Sequence, residues 1–327
     1  MNWIEWLSKL DKEPSWERAL YVARQGSSEW DVASLLTEVG MVEHFAQLQA
    51  QVFSKAESLL HNALPYLLAF FQKDEQWPRR EFLELYGLML ELLVLSTEGG
   101  DADLVLFSEL TIAILTLGVD KAKYIEIVDY TLELWNRFAS SKKVDWILDL
   151  LDVLVLYPCP SQELRSQLLF AAANQFGQFT RRIEADQWRF FRLLVKDLGQ
   201  EQALEGLLAS DIISAPNSLN DADDVLQKLK DKSVLIYTLT ESVASRVKSL
   251  LEDLCEGVTV HLSHDKAGND RLRQLAKSAD IVVMATASAK HAATGFIEAN
   301  RPKSLPILRP SGKGSASMMR IIRSHLA

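Results

Sequence analysis

Near residue 232 the chain changes texture, and no other feature limits its folding choices as much. Beyond that point short, continuous apolar runs alternate with amphipathic stretches: "SVLIYTL" then "ESVASRVKSLLEDLC", "VTVHLS" then "NDRLRQLAKSA", "DIVVMAT" then "AKHAATGFIEAN", "LPILRP" then "SASMMRIIRSHL". Runs that short, rich in β-branched residues and apolar on both faces, are buried strands. Strands alternating with helices close into right-handed βαβ units, with a parallel sheet covered on both sides. Residues 232–327 therefore read as a small Rossmann-like or flavodoxin-like α/β domain.

Before the change the apolar spacing is helical. In "FLELYGLMLELLVL" Phe82, Leu85, Tyr86, Met89, Leu92 and Leu93 recur every third or fourth position, and "YIEIVDYTLELWNRF", "VDWILDLLDVLVL", "ELRSQLLFAAANQF" and "DQWRFFRLLVKDL" keep that rhythm. The breaks "STEGGDAD", "ASSKK", "YPCPSQ" and "GQEQ" supply glycine, proline and caps. We expect about ten helices without a strand, packed as a helical-repeat-like or α-solenoid-like domain over residues 1–213. "SAPNSLNDADD" has no periodicity and reads as a linker, which with the following short helix fills 214–231. The fold class expected is an all-helical domain followed by a small parallel-sheet α/β domain, and 327 residues suffice for both cores.

The apolar stretches "LPYLLAFF" and "LYGLMLELLVL" are too short or too interrupted, the second by Glu91, to span a bilayer. The first residues, "MNWIEWLSKLDKEPSW", carry acids where a signal peptide is apolar. Cys159 and Cys255 cannot build a disulfide framework. We expect a cytoplasmic protein with no membrane partner.

Residues 231–327 hold 14 Lys and Arg against 9 Asp and Glu, a net of +5, whereas residues 1–230 carry a net of −14. Fields of opposite sign suggest different partners: another protein for the acidic helices, a nucleotide or nucleic acid for the basic segment. After Glu298 there is no acid at all, while Arg301, Lys303, Arg309, Lys313, Arg320 and Arg323 follow. All eight tryptophans precede the linker and are expected to fill the core. The alternative is that Trp3, Trp6 and Trp16, at an acidic amphipathic terminus, anchor a partner protein.

In an open parallel sheet, ligands sit at the carboxyl ends of the strands. That rule selects "TLTES" (238–242), "SHDKAGN" (263–269), "TASAKH" (286–291) and "RPSGKGSAS" (309–317). The last combines Gly312 and Gly314 with Ser315 or Ser317 as a helix cap, and adds the charges of Lys313 and Arg309. These are the ingredients of an anion site at a helix N-terminus. A glycine-rich turn that merely caps its helix would use the same residues. It is not a Walker A loop, since Ile307 stands where the first glycine belongs, and "TLTESVAS" lacks the dinucleotide glycines. The candidate ligand-binding set is Thr240, Ser288, His291, Arg309, Ser311, Gly312, Lys313, Gly314 and Ser315. His291, near Thr286, would be the base of any reaction or a polar residue at a helix end. Asp265 stands where a ribose-binding acid can lie. A metal at Cys255, His261 and His264 is not expected, because a strand points His261 and His264 to opposite faces.

"SADIVVMATASAKHAA" followed by "LPILRPSGKGSASMMRII" resembles an uncharacterised bacterial Rossmann-like domain family, over roughly residues 232–327. There a strand opening on Asp leads to a Ser/His-bearing helix, and a Ser/Gly-rich loop precedes the last helix. Lys290 stands where that family usually has Ser before the His. The resemblance implies the fold and a bacterial source, and names no reaction or cofactor.

The function these features favour is a non-enzymatic adaptor in a bacterial multi-protein system, of the kind that includes phage defence. Its helices would bind protein and its α/β domain a phosphate-bearing ligand. The alternative is an enzyme acting on a nucleotide, with His291 as base and Ser311–Ser317 holding the phosphate. At the strand ends the sequence offers no nucleophile constellation or paired carboxylates, and Glu241 and Asp265 read as capping or loop residues. Direct binding of nucleic acid through the basic tail is a third reading, with a modest charge for it.

Overall fold

A computed structural model describes residues 3–24, 57–205, 225–285, 292–310, 312 and 314–327. The chain forms two compact units, Met1–Tyr130 and Thr131–Ala327. The expected linker up to residue 224 lies outside the described residues.

The first unit contains α1 (Trp3–Lys12), α2 (Trp16–Arg24), α3 (Glu57–Phe71), α4 (Leu83–Ser96), α5 (Asp101–Leu117) and the start of α6 (Lys121–Phe138). Helices α1 and α2 pack on α3, α3 on α4, and α4 on α5. Aromatic rings make much of this core. Trp16 lies 4.6 Å from Phe70, and Trp77 lies 4.9 Å from Tyr86 in an edge-on arrangement. Helix α5 stops at Gly118, whose φ of 73° is a conformation that favours glycine. One hydrogen-bonded line lashes three helix ends together. His61 Nδ1 is 2.8 Å from Ser96 Oγ, its Nε2 is 3.2 Å from Asp103 Oδ1, and Thr97 donates to Asp103 at 2.6 Å. Ser96 Oγ also donates to Leu92 O at 2.7 Å, the back-bond of a helical serine, so the line reads as a tether rather than a nucleophile.

The second unit joins helices to the sheet. It continues α6 and adds α7 (Val144–Leu156), α8 (Gln162–Phe179) and α9 (Ala185–Asp197). The α/β part follows: β1 (Ser233–Tyr237), α10 (Glu241–Leu254), β2 (Thr259–Ser263), α11 (Asp270–Ser278), β3 (Ile281–Met284), α12 (Ala292–Asn300), β4 (Ile307–Leu308) and α13 (Ser315–Leu326). The four strands are parallel, in the order β2-β1-β3-β4. The sequence's four-fold alternation is thus the observed one.

Side chains alternate across the strands. Leu235, Tyr237, Val282 and Met284 face Leu272, Ala276, Ala293 and Ile297 of α11 and α12. Helices α10 and α13 pack on each other, and α7 and α9 pack on them in turn. At the amino edge Arg301 is buried. Its guanidinium donates to Ala276 O and Asp280 O at 2.9 Å and to Pro306 O at 3.0 Å. The sequence counts Arg301 among the charges of a basic tail. Burial lowers its pKa, and the structure uses it to clamp the turns below the sheet.

Trp135 and Trp188 converge on Phe176, at 5.9 and 5.8 Å, both edge-on, in the helical core of this unit. Among the described residues no helix is long and apolar enough to cross a membrane.

Candidate functional site

Strand β1 connects through α10 to one neighbour, β2, and the chain then returns to its other neighbour, β3. The crevice of such a sheet opens between β1 and β3, beyond their carboxyl ends. Tyr237 and Met284 end the two strands, and Ala285 N donates to Tyr237 O at 2.9 Å. Thr240 stands as the residue before α10. Its amide donates to Thr238 Oγ1 at 3.2 Å, and its own side chain makes no cap bond. Leu239 between them is exposed.

Asp265 and His264 shape the next loop. Tyr237 Oη donates to Asp265 O and Ser263 Oγ to Asp265 Oδ2, both at 2.8 Å, while His264 Nδ1 is 2.7 Å from Thr238 O. These bonds fasten the ends of β1 and β2 together. Ser288 and His291 of the loop "TASAKH", and Ser311 and Lys313, lie outside the described residues. Among the described residues no group of three or more His, Cys, Asp or Glu is placed to hold a metal.

The fourth loop is where the structure says most. The first turn of α13 carries the free amides that give such a helix its affinity for anions. The acceptor they hold belongs to the chain itself. Asp149 of α7 accepts from Ala316 N at 2.9 Å, from Ser317 N at 3.3 Å, and from Ser317 Oγ. Ser315 Oγ donates to Asp152 Oδ2 at 2.8 Å.

The two glycines are explained by the same contact. A Cβ on Gly314 would overlap the Asp149 carboxylate, and one on Gly312 would fall 3.0 Å from Asp149 Oδ2 and closer still to Ser317 Oγ. Gly314 has an ordinary φ of −85°, so space rather than backbone conformation requires it. Gly312, Gly314 and Ser315 therefore gather around Asp149 and Asp152. Arg309 turns away and pairs with Glu298 of α12, and Thr240 stays with the β1 loop.

Asp145, Asp149 and Asp152 are spaced i, i+4 and i+7, one face of α7, and all three are buried. The ion pairs along this stripe cross from α7 and α9 to α10 and α13. Asp145 accepts from Gln187 at 2.7 Å and lies 3.4 Å from Arg320, Asp152 lies 3.2 Å from Arg246, and Asp186 of α9 pairs with Arg323. Three arginines of the basic segment are thus matched by aspartates of the acidic one.

Burial drives the titration of this stripe. It pushes Asp149 up to about 7, against the bonds from Ser317 and with added repulsion from Asp145 and Asp152. Asp186 is raised to about 6 by burial, against the pull of Arg323. Burial also raises Asp145 and Asp152, opposed by Gln187 and by Arg246 respectively. The sequence reading passed over these aspartates, although three acids on one face of "VDWILDLLDVLVL" are an audible signal: a helix that buries carboxylates has donors waiting for them.

A family model described as DpdD-like matches residues 1–321, while no curated protein and no solved structure matches the chain. The match takes in the helical residues, so the resemblance is not confined to 232–327.

Proposed function

The chain belongs to the DpdD-like family, and from that premise we propose that it is a non-enzymatic adaptor in the cytoplasm of a bacterium. Its place would be in the DNA modification system with which that family is associated. The helical residues recruit a protein partner. The α/β residues offer the carboxyl edge of their sheet to a phosphate-bearing ligand, a nucleotide or nucleic acid.

The observation that supports an adaptor is the occupant of the α13 N-terminus. A fold of this kind commonly spends those amides on a substrate phosphate. Here they hold the Asp149 carboxylate and so join two layers of one unit. A ligand approaching Arg309 and Gly312 meets α13 only where Asp149 gives way. The Thr238–Thr240 loop at the crevice stays open to it.

The test compares two variants in cells that carry the complete system, by mass spectrometry of nucleosides from their DNA. With His291→Ala an adaptor keeps the modification near its wild-type level. With Asp149→Ala, which unfastens the layers, modification falls. Loss of modification with a folded His291→Ala protein that still binds its ligand would sink the adaptor reading and favour His291 as a base.

A further inference from the structure

Helix α9 sorts its charges by direction. Its acids Asp186 and Asp197, about three turns apart on one side, face the α/β layers and pair with Arg323 and Arg246. Its bases occupy another side. Arg192 and Lys196, one turn apart, are exposed, and the half-buried Arg189 continues their row toward the N-terminus. The turn Thr180–Arg182 before the helix adds exposed Arg181 and Arg182. The buried arc of Trp188, Phe190, Phe191, Leu194 and Val195 anchors the helix and leaves that row outward.

Between residues 181 and 197 the remaining acid is Glu184, whose amide is bonded to Gln187 Oε1 at 3.0 Å at the helix start. Arg181, Arg182, Arg192 and Lys196 have no ion pair among the described residues. A segment whose net charge is strongly negative thus carries a ridge of exposed cations.

We propose that this ridge is a nucleic-acid-facing surface that contacts the phosphate backbone. It presents exposed cations along one side of α9 and in the turn before it, mostly arginine, whose planar fork fits phosphate oxygens, and such clusters bind polyanions through released counterions. Contacts of this kind fall on phosphate oxygens rather than on base edges, so the binding is independent of sequence. The proposal is separate from the ligand reading above, which concerns the carboxyl edge of the sheet.

The experiment is fluorescence anisotropy with the full chain, a labelled duplex of about 25 base pairs and the matching single strand, at about 50 to 200 mM KCl, the range in which phosphate binding shows its salt dependence. The variant replaces Arg181, Arg182, Arg192 and Lys196 by Glu. A second variant, Lys277→Glu with Lys303→Glu, instead alters exposed cations of the α/β part at the amino ends of its strands. We expect wild type to bind with a steep salt slope. The ridge variant should bind at least about tenfold more weakly, with the slope flattened by about 0.9 for each phosphate that the ridge no longer neutralises. The second variant should keep the wild-type slope. If charge reversal lowers the melting temperature, the Ala pairs Arg181→Ala/Arg182→Ala and Arg192→Ala/Lys196→Ala carry the test. Absent binding of both DNAs by wild type, or an unchanged slope in the folded ridge variants, overturns the proposal. So does binding of a labelled polyglutamate in place of DNA, which would make the ridge a site for acidic protein. A slope lost only in the second variant also overturns it.

Discussion

Helices α11 and α13 lie on opposite faces of the sheet and begin alike, with first-turn amides that need an acceptor. They find it at very different distances along the chain. At α11 the acceptor is the neighbouring Asn269, whose Oδ1 takes the Leu272 amide at 2.7 Å. At α13 it is Asp149, on a helix that the chain completed long before. The physical chemistry is the same, an oxygen on orphaned donors. What differs is what the bond holds. Asn269 stabilises one helix, whereas Asp149 stabilises a helix and the seam between two layers.

The comparison breaks most visibly at Gly314. Gly314→Val puts side-chain carbons where the Asp149 carboxylate lies, and we expect a loss of about 4 kcal/mol in the second unit, from overpacking and broken hydrogen bonds together. Urea unfolding followed by tryptophan fluorescence measures it. A next step down is Asp149→Ala, which strands the amides of Ala316 and Ser317 and the Ser317 hydroxyl, at about 3 kcal/mol by the same measurement. Asp149→Asn keeps an acceptor oxygen and should lie between that variant and wild type.

Titration sharpens the contrast further. The folded state raises Asp149 to about 7, so the fold favours its protonated form. Stability from this group is present below the ordinary carboxylate range and is lost as pH rises through about 7. Between pH 6 and 8 the loss is about 1.4 kcal/mol. Asp186, raised to about 6, acts in the same direction at slightly lower pH. Thermal melts of wild type should fall from pH 6 to 8, and Asp149→Asn should flatten that fall. The smallest effect belongs to the local cap: Asn269→Ala should cost about 1 kcal/mol, with no change in the pH profile. Were Asn269→Ala to cost as much as Asp149→Ala, the seam would carry no energy of its own.

The same contrast explains what the sequence reveals. Strand-helix alternation after residue 232, the helical rhythm before it and the Asn269 cap are local patterns, read within a few residues. The donors around Gly312 and Gly314 are local too, and they are visible as an anion site. Their occupant is not, because a carboxylate from a distant helix and a phosphate from solution ask for the same amides and the same absent Cβ. The charge imbalance is equally ambiguous. Arg246, Arg320 and Arg323 look like a field for an outside partner, and in the structure they meet Asp152, Asp145 and Asp186. Net charge sums over directions that only the fold separates, which is why the cations of α9 stay hidden inside an acidic total.

The seam between α7 and α13 also bears on how such a protein can be made. Its bonds run from aspartates before residue 200 to serines and arginines after residue 240, and none of them needs the peptide bonds between. Two polypeptides divided between residues 205 and 225 should therefore recognise each other through Asp149, Asp152 and Asp186 and reassemble, much as the halves of a split reporter do. A gene encoding this chain could be cut in two there, and its products would still find one another.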